Sequence, residues 1–283
     1  MTYRRDSNFY RPYGWVAPKE WKWHYAAATL PNLNWTTYSN PSLKQSITSN
    51  QHNTTSKKPV AWLVSNCHTH SQREHYVEEL AKHIPIDVYG HCRKIATSKC
   101  PDEETCSEYI QKNYMFYLSF ENSICTDYVS EKFWNYLQGN LVPIVLGGGD
   151  YETIAPPHSL INAMDYSDPK ELANYLQYLI SNQTAYNEYF EWVRYFKVYT
   201  NEPKNFARAM CQLCEKLNDP EILPHVYNNM QDWWINEGKC KTDFPWLKPV
   251  YQYDWTSISS WKNFILDSNK KFIDELRGTK VII

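Results

Sequence analysis

The sequence predicts an α/β fold built on a parallel β-sheet, and two observations carry that expectation. Between residues 59 and 200, short apolar runs of strand length alternate with stretches of helical periodicity, which is the pattern of repeated βαβ units. The polar residues able to do chemistry gather just after the apolar runs. In open α/β sheets, ligands bind beyond the carboxyl ends of the strands.

The elements follow in order. Residues 1–58 read as irregular: scattered Trp and Tyr, few aliphatics, then a polar run from Ser39 to Lys58. We take this stretch as the tail of a preceding unit plus a linker. PVAWLVS (59–65) is a buried strand, and Gln72 to His83 is compatible with a helix. IPIDVYG (84–90) is a second strand ending at a glycine, and Glu103 to Lys112 a second helix. MFYLSF (115–120) is a third strand. Val129 to Gln138 is helical, with Val129, Phe133, Trp134 and Leu137 on one face. LVPIVLG (141–147) is a fourth strand and SLINA (159–163) a fifth. Asp168 is placed as an N-cap with Pro169 at the first helical position, opening a helix to about Ile180. Residues 59–200 therefore form a Rossmann-type unit. Residues 201–283 hold a helix from Pro203 to Leu217, a C-x-x-C, and a Trp- and Pro-rich extension.

Composition narrows the function. Hydrophobic residues are 42% and charged residues 21% of 283, enough apolar content for a sizeable core. A net charge of −2 gives no electrostatic footprint for nucleic acid. No apolar run reaches the roughly 18 residues of a spanning helix, and Met1 is followed at once by Arg4, Arg5 and Asp6 rather than by a leader's apolar stretch. Aromatic residues reach 16%, which suits a sugar-binding surface and an aromatic core equally. Of only 8 glycines, three adjoin at Gly147, Gly148 and Gly149, marking close backbone approach or a tight turn. The 8 cysteines, with sequons at Asn34, Asn53 and Asn182, point to a secretory-pathway lumen. Their pairing stays open; Cys92, Cys100 and Cys106 lie in one loop, and any of them can bridge another.

The strand ends give the candidate site. Ser65 and Asn66 follow the first strand, with Arg73 eight residues beyond Ser65. Asn122 follows the third, then Tyr128, Glu131 and Lys132 at the start of a helix. Arg73 can hold phosphate oxygens bidentately, Lys132 sits where a helix start favours phosphate, and Glu131 can accept from ribose hydroxyls. Against this, a Glu-Lys pair on a helix is ordinarily a solvated face, and a glycine cluster ordinarily a loop. Neither G-x-x-x-x-G-K-[ST] nor G-x-G-x-x-G occurs. His68, His70 and His75 invite a metal reading, but unaccompanied histidines after a strand are more often plain loop residues.

The string FYLSFENSICTDYVSEKFWNYLQGNLVPIVLG (116–147) resembles the donor-site signature of the α1,3-fucosyltransferases, F-x-L-x-F-E-N-S, D-Y-[IV]-[TS]-E-K and V-P-[IV]-V-L-G. MTYRRDS (1–7) with PYG (12–14), VAWLVSNC (60–67) with Gln72-Arg73, DVYGHC (87–92), SDPKELANYL (167–176) and Cys211-x-x-Cys214 are similar to further family motifs. The resemblance implies a two-lobed GT-B fold, with this chain holding the Rossmann-like donor lobe and a remnant of the acceptor lobe. It implies inverting transfer of fucose from GDP-fucose to the 3-hydroxyl of a GlcNAc. Arg73 and Lys132 would pair with the diphosphate and Glu131 with the ribose. Tyr117, Asn122 and Tyr128 would line the nucleotide and fucose pocket, with Ser65 and Asn66 at the first strand end. Core packing is the competing reading for Tyr117. No DxD motif occurs, and Asp150-Tyr151-Glu152 is the nearest acidic pair, so no obligatory metal is expected.

The family's general base stands in an E-S-P or E-A-P setting, absent here; Glu20 in PKEWKW does not match it. The resemblance therefore implies an N-terminally truncated chain. Its base, anchor helix and most of its acceptor lobe would lie upstream, and its own turnover would be weak or nil. The full-length form would be a type II membrane protein of the Golgi lumen. In the family the C-x-x-C pairs with cysteines towards the other lobe, so Cys211 and Cys214 would here be free, paired together or mispaired. SNC (65–67), D-V-Y-G-x-C and DWWINEGKC (232–240) look like the subgroup acting on the N-glycan core, with antennal Lewis-type transfer, or donor binding without turnover, as the alternatives.

Overall fold

The computed structural model describes residues 2–20, 35, 56–92, 98, 100, 103–200, 203–221 and 226–241. Asn34 and Asn53 lie outside them.

Five parallel strands form the central sheet: β2 (Lys58–Leu63), β3 (Ile86–Tyr89), β4 (Tyr114–Phe120), β5 (Val142–Leu146) and β6 (Ile161–Asn162). Their order is β3-β2-β4-β5-β6. The helices between them are α1 (Arg73–Leu80), α2 (Glu103–Asn113), α3 (Glu131–Leu137) and α4 (Tyr151–Ile154). α5 (Pro169–Ser181), α6 (Gln183–Glu188) and α7 (Pro203–Asn218) follow. Because the chain runs outward from β2 to β3 and then returns across it to β4, direction reverses between β2 and β4. That reversal opens a crevice at their carboxyl ends.

Side-chain alternation builds a core on each face. Trp62, Phe116, Leu118 and Phe120 pack with Tyr76, Leu80, Leu172 and Leu176 of α1 and α5. Ala61, Tyr114 and Tyr117 pack on the opposite face with Ile110 of α2 and Tyr136 of α3. The Asp168 N-cap is as expected: its Oδ1 accepts from Glu171 N at 2.8 Å, with Pro169 beginning α5. The fifth strand is shorter than 159–163, because Asn162 Oδ1 accepts from Met164 N at 3.1 Å and turns the chain into a 3-10 segment.

Two strands go beyond the sequence expectation. β1 (Trp15–Pro18) and β7 (Phe196–Tyr199) pair antiparallel, with Trp15 opposite Tyr199. Their rings stack at 5.4 Å and 7°. Val16, Phe196 and Val198 share a third cluster with Phe133, Trp134 and Val145. Residues 2–18 thus pack onto the sheet unit instead of standing apart as a tail.

Three disulfides join Cys67 to Cys92, Cys100 to Cys106 and Cys125 to Cys240. Cys92 and Cys106 are bridged, each to a cysteine brought near by the fold. Cys211 and Cys214, expected among the disulfide candidates, are free and exposed on α7. The sequon residue Asn182 has its side chain engaged: Oδ1 accepts from Ala185 N and Nδ2 donates to Tyr178 OH, both at 3.1 Å.

Candidate functional site

The crevice between β2 and β4 collects most of the sequence-predicted residues. Ser65 and Asn66 emerge exposed from β2, and Ser65 Oγ lies 3.3 Å from His91 Nδ1, at the end of β3. The close approach of these two strand ends needs Gly90. Its φ is +108°, and a Cβ there would stand 2.2 Å from Val64 O. The Cys67–Cys92 bridge fixes the same pair of loops.

Arg73 opens α1 and lies beneath the crevice, 2% exposed. Its Nη1 donates to Phe120 O and its Nη2 to Asn66 O at 3.3 Å. The guanidinium therefore ties the ends of β2 and β4 together, stacked 5.5 Å over Trp62. Burial lowers its pKa, opposed by the charges of Glu121 and Glu74. This differs from an Arg73 reaching out to a diphosphate: both terminal nitrogens face main-chain carbonyls, because the residue sits under the strand ends. Ser71 supports the same floor, its Oγ donating to Glu121 O at 2.6 Å and its N to Asn122 O at 2.9 Å.

Glu121 is the residue to which sequence reasoning gave no role. It is wholly buried, and burial raises its pKa against the opposing pull of Lys132 and the Ser130 hydrogen bonds. Ser130 N donates to Glu121 Oε1 at 2.7 Å, and Ser130 Oγ approaches Oε1 at 2.9 Å and Oε2 at 2.7 Å. Ser130 also caps α3, accepting from Lys132 N. Lys132 Nζ lies 2.9 Å from Ser130 Oγ, 3.2 Å from Glu131 Oε1 and 3.6 Å from Glu121 Oε2. Its side chain is 21% exposed, so it remains reachable from solvent while held by two carboxylates. Glu131 is exposed. The signal for Glu121 was its place immediately after a strand inside E-N-S.

Tyr117 is packed into the core. It lies mid-strand, 2% exposed, stacked on Tyr136 with ring centroids 3.4 Å apart. Three residues before the carboxyl end of β4 is about 10 Å of strand, and its side chain points to the α2–α3 face. Its hydroxyl reaches the carboxyl end of β2, donating to Leu63 O at 3.5 Å. Tyr128 is half-buried beside Tyr3, ring centroids 4.9 Å apart, and burial raises its pKa, with Glu121 the next cause.

The three glycines are explained by close packing. A Cβ on Gly148 would stand 2.2 Å from Cys125 O, and one on Gly149 2.1 Å from Val129 Cγ2. The end of β5 thus lies directly against the 121–130 loop. Asn122 Oδ1 and Arg73 Nε are buried without a hydrogen-bond partner. Leaving such groups unsatisfied costs about 1–3 kcal/mol each. Among the described residues, no group of three His, Cys, Asp or Glu is arranged to hold a metal. No described helix is long and apolar enough to cross a membrane.

A parallel sheet with polar groups gathered at its reversal point defines a nucleotide-binding class of α/β protein. Residues 53–233 match the model of glycosyltransferase family 10 (fucosyltransferase), C-terminal part, and the chain belongs to that family. It is 36% identical over 273 residues to Glycoprotein 3-alpha-L-fucosyltransferase A of Drosophila melanogaster, covering 95% of this chain and 47% of the relative. Alpha-(1,3)-fucosyltransferase C of the same organism is 33% identical, covering 86% and 55%. A 4-galactosyl-N-acetylglucosaminide 3-alpha-L-fucosyltransferase of Homo sapiens is 36% identical, covering 77% and 53%. The chain spans about half the length of these relatives. A crystal structure of an alpha1,3-fucosyltransferase with GDP-fucose superposes on 62% of this chain and 50% of its own, at 21% identity and a TM-score of 0.47. That overlap is too loose to carry an argument about geometry.

Proposed function

We propose that this chain binds GDP-fucose in the β2–β4 crevice and is the donor-holding half of a two-lobed, inverting α1,3-fucosyltransferase. The observation that carries the reading is the crevice itself. Within the family-matched residues, the ends of β2 and β4 converge over Arg73, with Lys132 at the rim and Asn122 Oδ1 unsatisfied.

The chemistry follows from charge. Breaking the bond between fucose C1 and the diphosphate leaves negative charge on the leaving oxygen and an oxocarbenium-like sugar. A fixed cation aimed at the leaving group lowers that barrier more than any other single device. Lys132 is the cation in reach, kept in place by Ser130 and Glu131. Arg73 contributes its positive charge from beneath, through the field of the crevice. Glu131 accepts from ribose hydroxyls, and Ser65, Asn66, Asn122 and Tyr128 line the donor. Donor binding needs no metal. The nearest acidic pair is already engaged, with Asp150 Oδ2 accepting from Thr153 Oγ1 at 2.8 Å and facing Arg5 at 3.9 Å.

The acceptor is the 3-hydroxyl of a GlcNAc on a glycoprotein N-glycan. The core GlcNAc is favoured by the relative named for glycoproteins, which matches 95% of this chain against 77% for the human one. The working compartment is the Golgi lumen, reached as a type II membrane protein. Three disulfides support an oxidising compartment.

Thermal unfolding of the oxidised chain against GDP-fucose, GDP, GDP-mannose and UDP-GlcNAc tests the proposal. Binding to the native state at a hundredfold excess over Kd stabilises by about 2.7 kcal/mol. GDP and GDP-fucose raise the midpoint, with or without a chelator, and UDP-GlcNAc does not. An unmoved midpoint with GDP-fucose in a cooperatively unfolding chain refutes donor binding. Transfer to a core-type but not an antennal acceptor then separates the two linkages.

A further inference from the structure

The Trp-rich segment near residue 240 has no part in the donor reading above, yet it packs against the loop that carries Tyr128. Cys240 is bonded to Cys125 across 115 residues of sequence. Backbone bonds flank that bridge: Thr126 N donates to Gly238 O at 2.8 Å and Lys241 N to Ile124 O at 2.9 Å. The N-terminal segment is inserted between the two. Tyr3 lies with its ring centroid 5.4 Å from Trp234 on one side and 4.9 Å from Tyr128 on the other. Arg4 lies 4.1 Å over the Trp233 ring and donates to Trp233 O. Arg5 N donates to Asp127 Oδ2 at 3.0 Å. Asp127 itself has a φ of +62°, a conformation uncommon outside glycine, for which its neighbours must provide support.

We infer that the Cys125–Cys240 bridge and Trp234 are positioning residues for donor binding. They act through the three-ring chain Trp234–Tyr3–Tyr128, edge-on at Trp234 and tilted at Tyr128, which holds the 124–128 loop in its ligand-ready shape. This inference rests on the donor reading of the crevice. The physical reason is local. The loop from Ser123 to Val129 lies outside the sheet ladder, and its inner side is fixed by Gly148 packing on Cys125. Its outer side is held, among the described residues, through the N- and C-terminal segments. Without that outer support the loop samples other shapes, and binding is weakened by the fraction of time it is misplaced. β4 and β5 have their own ladder and two cores, so the sheet does not depend on the bridge.

The experiment is calorimetric titration of GDP into the oxidised wild-type chain, the Cys125→Ser/Cys240→Ser double variant and Trp234→Ala. Amide hydrogen exchange in β4 and β5 is followed in parallel. The double variant binds GDP about tenfold more weakly, with the β4 and β5 amides as protected as in the wild type. Trp234→Ala, which keeps the bridge, shifts affinity in the same direction by about threefold, on the scale of one aromatic contact. Unchanged affinity in a double variant that lacks the bridge overturns the inference and leaves the donor reading intact. Loss of β4 and β5 protection also overturns it, since the bridge would then hold the fold rather than the loop. A wild-type chain that does not bind GDP overturns both.

Discussion

Replacing Gly148 by alanine is the sharpest perturbation the structure offers. The new Cβ would stand 2.2 Å from Cys125 O, 2.6 Å from its carbonyl carbon and 2.8 Å from its nitrogen. Relief to even the 3.0 Å limit of real Cβ contacts requires about 0.8 Å of backbone movement. None of the three atoms belongs to a side chain that can rotate away. Cys125 cannot easily retreat, because its sulfur is bonded to Cys240 and its carbonyl accepts from Tyr128 N at 3.1 Å. Overpacking of this kind costs about 1–3 kcal/mol. Taking about 2 kcal/mol, and about 2–4 °C per kcal/mol for a domain of this size, the midpoint falls by about 4–8 °C. Movement of the Cys125 carbonyl also carries Tyr128, so GDP binding weakens by about tenfold. Gly139→Ala is the matched control. Its three nearest neighbours all belong to the flexible side chain of Gln111, Oε1 at 2.7 Å and Cδ and Cγ at 3.1 Å, so stability stays within about 0.5 kcal/mol of wild type. Differential scanning calorimetry of both variants with and without GDP reads both quantities. A Gly148→Ala chain that melts with Gly139→Ala and binds GDP like wild type would refute the close-packing argument.

Four other outcomes follow from the same geometry. Lys132→Met weakens GDP binding by tenfold or more, a charge-assisted contact being worth about 1.5–3 kcal/mol; titration at two ionic strengths shows a shallower salt dependence than wild type. Ser130→Ala removes both the α3 cap and a hydroxyl from Glu121, lowering stability by about 1–2 kcal/mol in denaturant unfolding. Tyr117→Phe leaves GDP affinity unchanged, because Tyr117 lies in the core; a several-fold loss would return it to the site. Glu121→Gln tests the buried carboxylate through pH. Its folded pKa lies above the ordinary 4.5, so above that pH the folded chain binds more protons than the unfolded one. Stability from this group therefore falls as pH rises from about 4.5. The wild-type stability minus that of Glu121→Gln shrinks across that range, and a difference that grows contradicts the sign.

Residues differ in how legible their roles were in the sequence, for physical reasons. The parallel strands were readable because doubly buried strands are continuous apolar runs, as in Val142–Leu146. The α5 start was readable because Asp168 and Pro169 act locally. β1 and β7 were not, since each is four residues long and exists only by pairing with the other across the chain. That Ser65, Asn66, Asn122 and Lys132 lie beyond strand ends was readable from the apolar runs that precede them. The inward turn of Arg73 was not, because it depends on Phe120 O and Asn66 O arriving from two strands. The burial of Tyr117 was not legible, because a motif does not say which face of a strand its middle residues take. The Cys67–Cys92 pairing is set by the β3-β2 adjacency of the sheet, and Cys125–Cys240 by the return of the C-terminal segment to the loop after β4, where Lys241 bridges Ile124; neither is held in cysteine spacing.

The position of the three bridges has a practical consequence for making this protein. Cys67–Cys92 joins the loops after β2 and β3, Cys125–Cys240 secures the loop after β4, and Cys100–Cys106 closes the approach to α2. All three attach to loops that follow strands, and Cys92 and Cys106 are themselves packed into the core clusters. Material produced in a reducing cytoplasm would show full secondary structure by circular dichroism and run as a single species on gel filtration. Those loops would nonetheless be unfastened. Folding yield and ligand competence are therefore separate quality attributes for this chain, and a thiol count, rather than a spectrum, is the release test for a batch.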